Sequence, residues 1–307
     1  MQARFVNSTR SRSVPIIKVT CVRDGEEPAG SAAAIMATTL AKASEPISDP
    51  STKGVISKPE KTRPQNPNRL TIRQHVFPVR SMQQFVDKRG RVSVFDILRN
   101  KIRLAQPKDT LFCAQRAWDQ RAEAGYMKHI EDEFQKIVQP IIRGQVNTIT
   151  PEQKPAIDTM FALWFMRTRY RRLDAQEIQL VGVHGDDLTK AQEENLESNG
   201  YLFARMGGKM PARQLNGVQL QMRIGHYARD LAVLTRWGVI HAQTGEFIVP
   251  DVPMHTIIPL TPKMALVASV PDGYVVERNL AEVNSALRAS SREYYFARDF
   301  SKCPFLA

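Results

Sequence analysis

The pattern of apolar and polar positions changes near residue 69, where a polar stretch gives way to segments with helical or strand periodicity. Residues 1–68 are rich in Ser, Thr, Pro, Ala and Lys, and their short apolar runs settle into neither period. A chain of this composition buries too little apolar surface to offset the entropy that it loses on ordering. The pattern therefore predicts a disordered basic leader over 1–68 and one folded domain over 69–307.

The domain opens with residues that alternate between apolar and polar. Val92 and Val94 are followed by Arg99-Asn100 and then by Ile102 and Leu104. Two alternating runs separated by a polar turn are typical of an antiparallel β-hairpin. We therefore predict that this segment forms the first pair of strands.

A long helix is predicted next, from about Asp119 to Gly144. Apolar residues recur there at steps of three and four, and Gly144 stands where a C-terminal cap is expected. The polar residues between them, which include Glu123 and Glu131, are assigned to an outer, solvated face.

A second helix has the clearest start signal in the chain. Thr150 is placed as the N-cap, Pro151 takes the first helical position, and Gln153 follows at the third. This arrangement satisfies backbone N–H groups that would otherwise lack partners. An apolar face that includes Trp164 then leads into the basic run 167–172.

The rest of the chain alternates between helices and strands. The predicted elements are helices within 186–236, a hairpin of 237–241 and 246–249 around Gln243-Thr244-Gly245, strands within 256–270, a helix near 280–289 and a strand over 294–297. The sum is an α+β domain with an N-terminal β-hairpin, a central helical block and C-terminal antiparallel strands.

Composition narrows the class of protein. A chain of 307 residues with 42% hydrophobic content can bury a full core. Its net charge of +12 favours an anionic partner, of which nucleic acid is the leading candidate. Its 3 cysteines are widely spaced and odd in number, which fits a reducing cytoplasm better than a disulfide framework. No apolar run approaches the roughly 18 residues that span a membrane.

The leader itself admits several interpretations. Arg4, Arg10 and Arg12 precede the first acidic residue, Asp24, as in an organellar transit peptide. A bacterial leader, a tethering tail or an over-extended start would have the same composition. The sequence does not choose among them.

Several motifs recur in an order that resembles a known family. They are His75-Val76-Phe77-Pro78 with Met82 and Phe85, Arg167-Thr168 at the end of an aromatic helix, Trp237 before the segment 247–253, Pro259-Leu260-Thr261-Pro262, and Asn284 before a terminal strand. Over about residues 70–300 they resemble the uncharacterised bacterial domain-of-unknown-function family 4238. The chain departs from that pattern in two places, at Pro250-Asp251-Val252-Pro253, which loses an amide, and at Arg169, which replaces a proline. The resemblance implies a fold and candidate positions rather than a chemistry.

The candidate positions carry the side chains that phosphodiester hydrolysis uses. His75 would act as general base or acid, Arg167 would hold the phosphate, and Asp251 would orient the histidine or bind a divalent metal ion, which is the candidate cofactor. We therefore predict a nuclease-like hydrolase with catalytic residues His75, Arg167 and Asp251.

A structural role for the same residues has at least equal weight. Asp251 lies between prolines, where its carboxylate can accept bonds from backbone N–H groups of a turn. His75 would then be a buried histidine that ties a strand to the core, and Arg167 would bridge to Asp251.

The alternative function is non-catalytic nucleic-acid binding. Its candidate residues are Arg167, Arg169, Tyr170, Arg171, Arg172 and Lys209, with Arg205 and Arg213 extending the surface. Arginines would contact phosphates and the tyrosine would stack on a base. Cations are also favoured at a helix C-terminus without any ligand, which explains the same arginines. An interaction protein that recruits a partner through its leader is the third possibility.

Overall fold

The structure, a computed structural model, describes residues 60–172 and 177–306, and the backbone of residues 17–18 and 34–35. The helices are α1 (Val79–Met82), α2 (Lys128–Ile142), α3 (Lys154–Tyr170), α4 (Lys190–Ser198), α5 (Ala212–Asp230) and α6 (Glu277–Ser290). The strands are β1 (Ile17–Lys18), β2 (Ala34–Ile35), β3 (Arg73–His75), β4 (Val92–Asp96), β5 (Lys101–Ala105), β6 (Cys113–Gln115), β7 (Ile178–Gln179), β8 (Lys209–Met210), β9 (Trp237–Ala242), β10 (Val249–Pro250), β11 (Ile257–Thr261), β12 (Met264–Ala268), β13 (Gly273–Val275) and β14 (Tyr294–Ala297). The predicted α+β class is confirmed.

Two four-stranded sheets form most of the β part of the fold, and the pairs β1-β2, β3-β6 and β7-β8 form separate two-stranded sheets. The first sheet has the order β10-β14-β4-β5 and is antiparallel throughout. The second sheet has the order β11-β12-β9-β13, in which only β13 runs parallel to its neighbour. The predicted β4–β5 hairpin and the predicted strand β14 are confirmed.

The predicted hairpin of residues 237–241 and 246–249 is wrong. Strand β9 pairs with β12 and β13 in the second sheet, whereas β10 pairs with β14 in the first. All of β9 except His241 is buried, so both its faces are covered and a strand lies along each edge. The chain between β9 and β10 therefore passes from one sheet to the other.

The long helix that the sequence predicts is confirmed, with an unusual first turn. Residues Ala122–Met127 are π-helical and run directly into α2. Gly144 closes the helix with a φ of 69° and donates its N–H to the carbonyl of Ile141. A left-handed glycine at this place is the expected helix end.

Helix α3 begins slightly later than its start signal suggests. Gln153 accepts a hydrogen bond from the Thr150 N–H at 3.0 Å, which is half of the predicted capping box. A single tight turn follows, and the regular helix starts at Lys154. Most of α3 is buried, and Phe161 and Trp164 join its core face. Among the described residues, no helix has the length and hydropathy to cross a bilayer.

Two apolar clusters share the sheets between them. Helices α2, α3 and α5 and one face of each sheet enclose the larger cluster, which contains Trp164, Trp237 and Phe296. The opposite faces pack on α6, with Ile240 and Tyr295 among the contributors. Successive strand residues thus point into different clusters, as the pleat of a strand requires.

Residues 60–68, which the sequence analysis assigned to the leader, make ion pairs with the domain. Glu60 accepts from Lys190 at 2.5 Å, from Arg205 at 2.6 Å and from Arg213. Arg63 binds Glu194 at 3.1 Å. Burial opposes the charge of Glu60, but the three cations outweigh it and lower its pKa to about 2. Most of the leader, residues 1–59, lies outside the described residues apart from the two dipeptides.

Candidate functional site

Arg167 lies near the C-terminal end of α3 and is buried, with 2% of its surface exposed. Its guanidinium donates to Glu131 and, at 3.2 Å, to Glu123, and lies 5.8 Å from the ring centre of Trp118. We call these four residues the Arg167 cluster. Burial opposes the charge of Arg167, but the two carboxylates outweigh it and raise its pKa. The predicted phosphate-binding arginine therefore holds two glutamates inside the protein.

The π-helical turn explains why both glutamates reach Arg167. Their interpretation as members of a solvated outer face is corrected, since Glu123 is only 16% exposed and Glu131 26%. A π turn adds one residue, so the eight steps along the chain from Glu123 to Glu131 cover about two turns and return to the same side. Trp118 fixes Glu123 further by donating its indole N–H at 2.7 Å.

Asp251 is fully engaged elsewhere. Its carboxylate accepts from Arg172 at 2.6 Å and from the backbone N–H groups of Arg292 at 2.8 Å and Glu293 at 2.9 Å. Burial raises the pKa of Asp251, and Arg172 and the two backbone bonds oppose the rise. The predicted bridge to Asp251 thus exists, but Arg172 makes it instead of Arg167. These contacts leave Asp251 as an anchor for the start of β14.

The predicted nucleic-acid surface at residues 167–172 is largely neutralised inside the fold. Arg171 and Arg172 each bind Glu293 at 2.8 Å. Tyr170 is 1% exposed, so its ring offers no face for base stacking. In the described part of the chain, Arg169 makes no ion pair within 4 Å, whereas its three neighbouring arginines all do.

The remaining residues of the predicted surface also include paired and unpaired cations. Arg205 binds Glu193 at 2.5 Å and Arg213 binds Glu197 at 2.8 Å. Lys209 is exposed and lies on the short strand β8. Only Arg169 and Lys209 of the predicted set thus keep charges that no described carboxylate pairs.

His75 lies on β3, opposite Cys113 of β6. Burial lowers the pKa of His75, while a hydrogen bond to the backbone of Pro107 and the charge of Glu131 oppose the decrease. Proline has no N–H, so the histidine donates this bond to the carbonyl. The Nε2 atom is buried and has no partner among the described atoms, which leaves Nδ1 as the donor. The imidazole is thereby held neutral with a free lone pair on Nε2.

Two cations accompany His75. Arg73 stands two residues earlier on β3, and residues at this spacing share a face of a strand. Lys108 is exposed and acts electrostatically on the imidazole. We call Arg73, His75, Lys108 and Glu131 the His75 site.

The three predicted catalytic residues therefore fall into two groups. His75 and Arg167 lie within electrostatic range and share Glu131 as a neighbour. Asp251 belongs with Arg172, which lies in the turn after the end of α3. Within 60–172 and 177–306, no group of three or more His, Cys, Asp or Glu side chains is arranged to hold a metal ion.

Sequence reasoning missed the partners of the predicted residues. Glu123, Glu131, Arg73 and Lys108 belong to no sequence motif, and His75-Val76-Phe77-Pro78 is the pattern that points to this segment. Comparison with known proteins adds no further residue, because no family model, curated protein or solved structure matches the chain. The resemblance to family 4238 stays a prediction.

Proposed function

We propose that the protein is a phosphodiester-directed hydrolase, nuclease-like in its chemistry, with its reaction centre at the His75 site. The observation that supports this proposal best is the neutral imidazole whose Nε2 has no described partner. A buried polar atom without a partner needs an explanation, and a general base waiting for its substrate provides one. Glu131 and two cations stand beside it.

The proposed reaction uses each member of the site. Nε2 of His75 accepts a proton from a water molecule as the water oxygen forms a bond to phosphorus, and the protonated imidazole returns that proton to the leaving oxygen as the phosphorus–oxygen ester bond breaks. Arg73 and Lys108 offset the charge on the phosphate oxygens. Glu131 stabilises the transient imidazolium, and Arg167 acts as a positioning residue that holds Glu131.

The test measures cleavage of single-stranded and double-stranded DNA and RNA by the full chain. We expect His75→Gln to lose at least about 10²-fold in kcat, because it removes the base while keeping a polar side chain of similar size. Arg73→Gln and Lys108→Gln should raise KM, since these residues bind the ground-state phosphate as well.

Arg229→Gln provides the matched control, because Arg229 is exposed on α5 and lies outside the His75 site. Circular dichroism establishes that each variant is folded. The hydrolase proposal is rejected if the wild-type chain cleaves none of these substrates, or if folded His75→Gln cleaves them at the wild-type rate.

A second candidate is nucleic-acid binding without catalysis, supported by the charges of Arg169 and Lys209. Both lack carboxylate partners in the described part of the chain, so each is free to contact a phosphate. The logarithm of the binding constant should then fall linearly with the logarithm of the salt concentration. Arg169→Gln should reduce the magnitude of that slope by about one. Weak binding that is insensitive to salt would remove this candidate.

The cytoplasm is the compartment that we propose. Cys113 and Cys303 are free thiols buried in the domain. Burial raises the pKa of Cys113 to about 11 and that of Cys303 to about 12, so both remain protonated at neutral pH. Unpaired, unreactive thiols fit a reducing environment.

A further inference from the structure

A cleft of about 330 Å³ opens where α3 begins, at the opposite end of the helix from the Arg167 cluster. The residues that matter for its chemistry are Ile149, Thr150, Pro151, Lys154, Arg236 and Trp237. Its volume lies at the lower end of the range for small-molecule sites. None of the residues of the His75 site lines it, so the cleft is independent of the proposed hydrolase centre.

Lys154 brings a largely buried positive charge to this cleft. Its ammonium group donates to Asp158 at 2.6 Å and to the carbonyl of Leu231 at 3.2 Å, and the side chain is 15% exposed. An ammonium group has three donors, so one remains for a ligand. Burial raises the pKa of Asp158, although Lys154 and the Trp237 indole oppose the rise. Asp158 thus shares its carboxylate between Lys154 and the Trp237 indole.

Arg236 supplies a second cation at the rim, where its side chain is 45% exposed. It donates a single described hydrogen bond, from Nη2 to Asp272 at 3.0 Å. Asp272 also accepts from Thr148 at 2.8 Å and from the Val239 N–H at 2.7 Å. The remaining N–H groups of the guanidinium are thus open to a planar anion, which a guanidinium binds in a fork geometry.

The rest of the wall combines apolar atoms with two hydroxyl groups. Ile149 and Pro151 supply apolar surface, and Thr150 and Thr235 supply the hydroxyls. Trp237 lies behind this wall with 0% of its surface exposed, and its indole N–H donates to Asp158 at 2.7 Å. A ligand here meets two cations together with apolar and hydroxyl groups.

We propose that this cleft binds a small organic anion with a carboxylate or phosphate head group and a compact apolar body. The head group lies between Lys154 and Arg236, and the body packs on Ile149 and Pro151. Inorganic phosphate lacks the body and a neutral amide lacks the charge, so both should bind more weakly than a ligand that has the two features.

The experiment is isothermal titration calorimetry of the full chain with benzoate, phenyl phosphate, benzamide and inorganic phosphate. Benzoate or phenyl phosphate should bind at least about tenfold more tightly than benzamide and inorganic phosphate. The ratio of the first two affinities tells whether the site prefers a carboxylate or a phosphate. Binding of both benzoate and phenyl phosphate that is no tighter than that of benzamide, or no binding by any of the four, would overturn the proposal.

Two variants locate the binding. Arg236→Gln should weaken the binding of the preferred anion by about tenfold, whereas the exposed control Arg229→Gln should leave it unchanged. Asp158→Asn should strengthen it, because the asparagine still accepts from Trp237 but no longer neutralises Lys154. An affinity that stays the same in Arg236→Gln would contradict the proposed site even if Asp158→Asn failed to fold.

Discussion

The two ends of α3 both place positive charge inside the protein. At one end the charge is surrounded by carboxylates, and at the other end it borders a cleft. At the C-terminal end, Arg167 is enclosed by Glu123 and Glu131, and Arg171 and Arg172 are paired with Glu293 and Asp251. At the N-terminal end, Lys154 shares one aspartate with a tryptophan and borders a cleft. The end with more arginines is the more fully neutralised.

This difference shows that charge density along a sequence is a poor guide to where an anion binds. A guanidinium surrounded by carboxylates has no unmatched charge to offer, and breaking its pairs would leave two half-buried glutamates without a cation. A single ammonium with a free donor beside open space is better suited to a ligand. The His75 site lies near the C-terminal end of α3. Its cations, Arg73 and Lys108, belong to a strand and a loop and not to α3.

The largest effect should come from removing the enclosed arginine. Arg167→Met leaves two half-buried glutamates without their shared cation and should lower the free energy of unfolding by about 3–5 kcal/mol. Arg169→Met, two positions along the same helix, should change it by no more than about 0.5 kcal/mol. Urea denaturation measures the free energy of unfolding of both variants. Equal losses would mean that the ion pairs of Arg167 do not stabilise the C-terminal end of α3.

The second effect concerns Asp251. Asp251→Asn removes the charge that Arg172 and two backbone N–H groups share, and should cost about 1.5–3 kcal/mol. We expect nucleic-acid cleavage by the folded variant to match the wild type, because Asp251 lies outside the His75 site. A loss of kcat without a loss of stability would return Asp251 to a catalytic role.

A smaller effect on stability, which depends on pH, is expected at the N-terminal end of α3. Lys154→Met leaves Asp158 without its cation, at a cost of about 1–2 kcal/mol at pH 8. Burial already raises the pKa of Asp158, so this carboxyl binds its proton more tightly in the folded chain than in the unfolded one. The variant should therefore lose stability as pH rises and recover it as pH falls. Lys136→Met, at an exposed lysine, should show no such slope relative to the wild type.

The smallest effect is the titration of His75. Its pKa in the folded chain lies below the value of about 6.5 in the unfolded chain, so the unfolded state takes up the proton first as pH falls. As pH falls from 8 to 5, the free energy of unfolding of the wild type should decrease relative to that of His75→Gln. Above about pH 7 the difference between the two should stay constant. A difference that grew in the alkaline direction would show that the imidazole is charged in the fold.

Local patterns predicted the elements near both ends of α3, but not which residues meet there. Alternation found the β4–β5 hairpin, and the Thr150 to Gln153 spacing found the helix start. The partners of Arg167 lie 36 and 44 residues away, on a helix face that looked solvated. The π turn that brings them together has no sequence signal that we recognised.

The failed hairpin has a related physical cause. Residues 237–242 and 247–250 are almost continuously buried, so their sequence lacks the alternation that would assign each face. Proximity along the chain favoured pairing them with each other. Their partners in the two sheets are instead fixed by packing between distant segments, which no local pattern encodes.

The most direct test of the contrast between the two ends is arginine modification by phenylglyoxal, followed by peptide mass spectrometry. We predict that Arg236 reacts readily in the folded chain and is protected by whichever of benzoate and phenyl phosphate binds more tightly, whereas Arg167 reacts only after denaturation. Reaction of Arg167 at the rate of Arg236 in the folded chain, or no protection of Arg236 by either anion, would contradict the account.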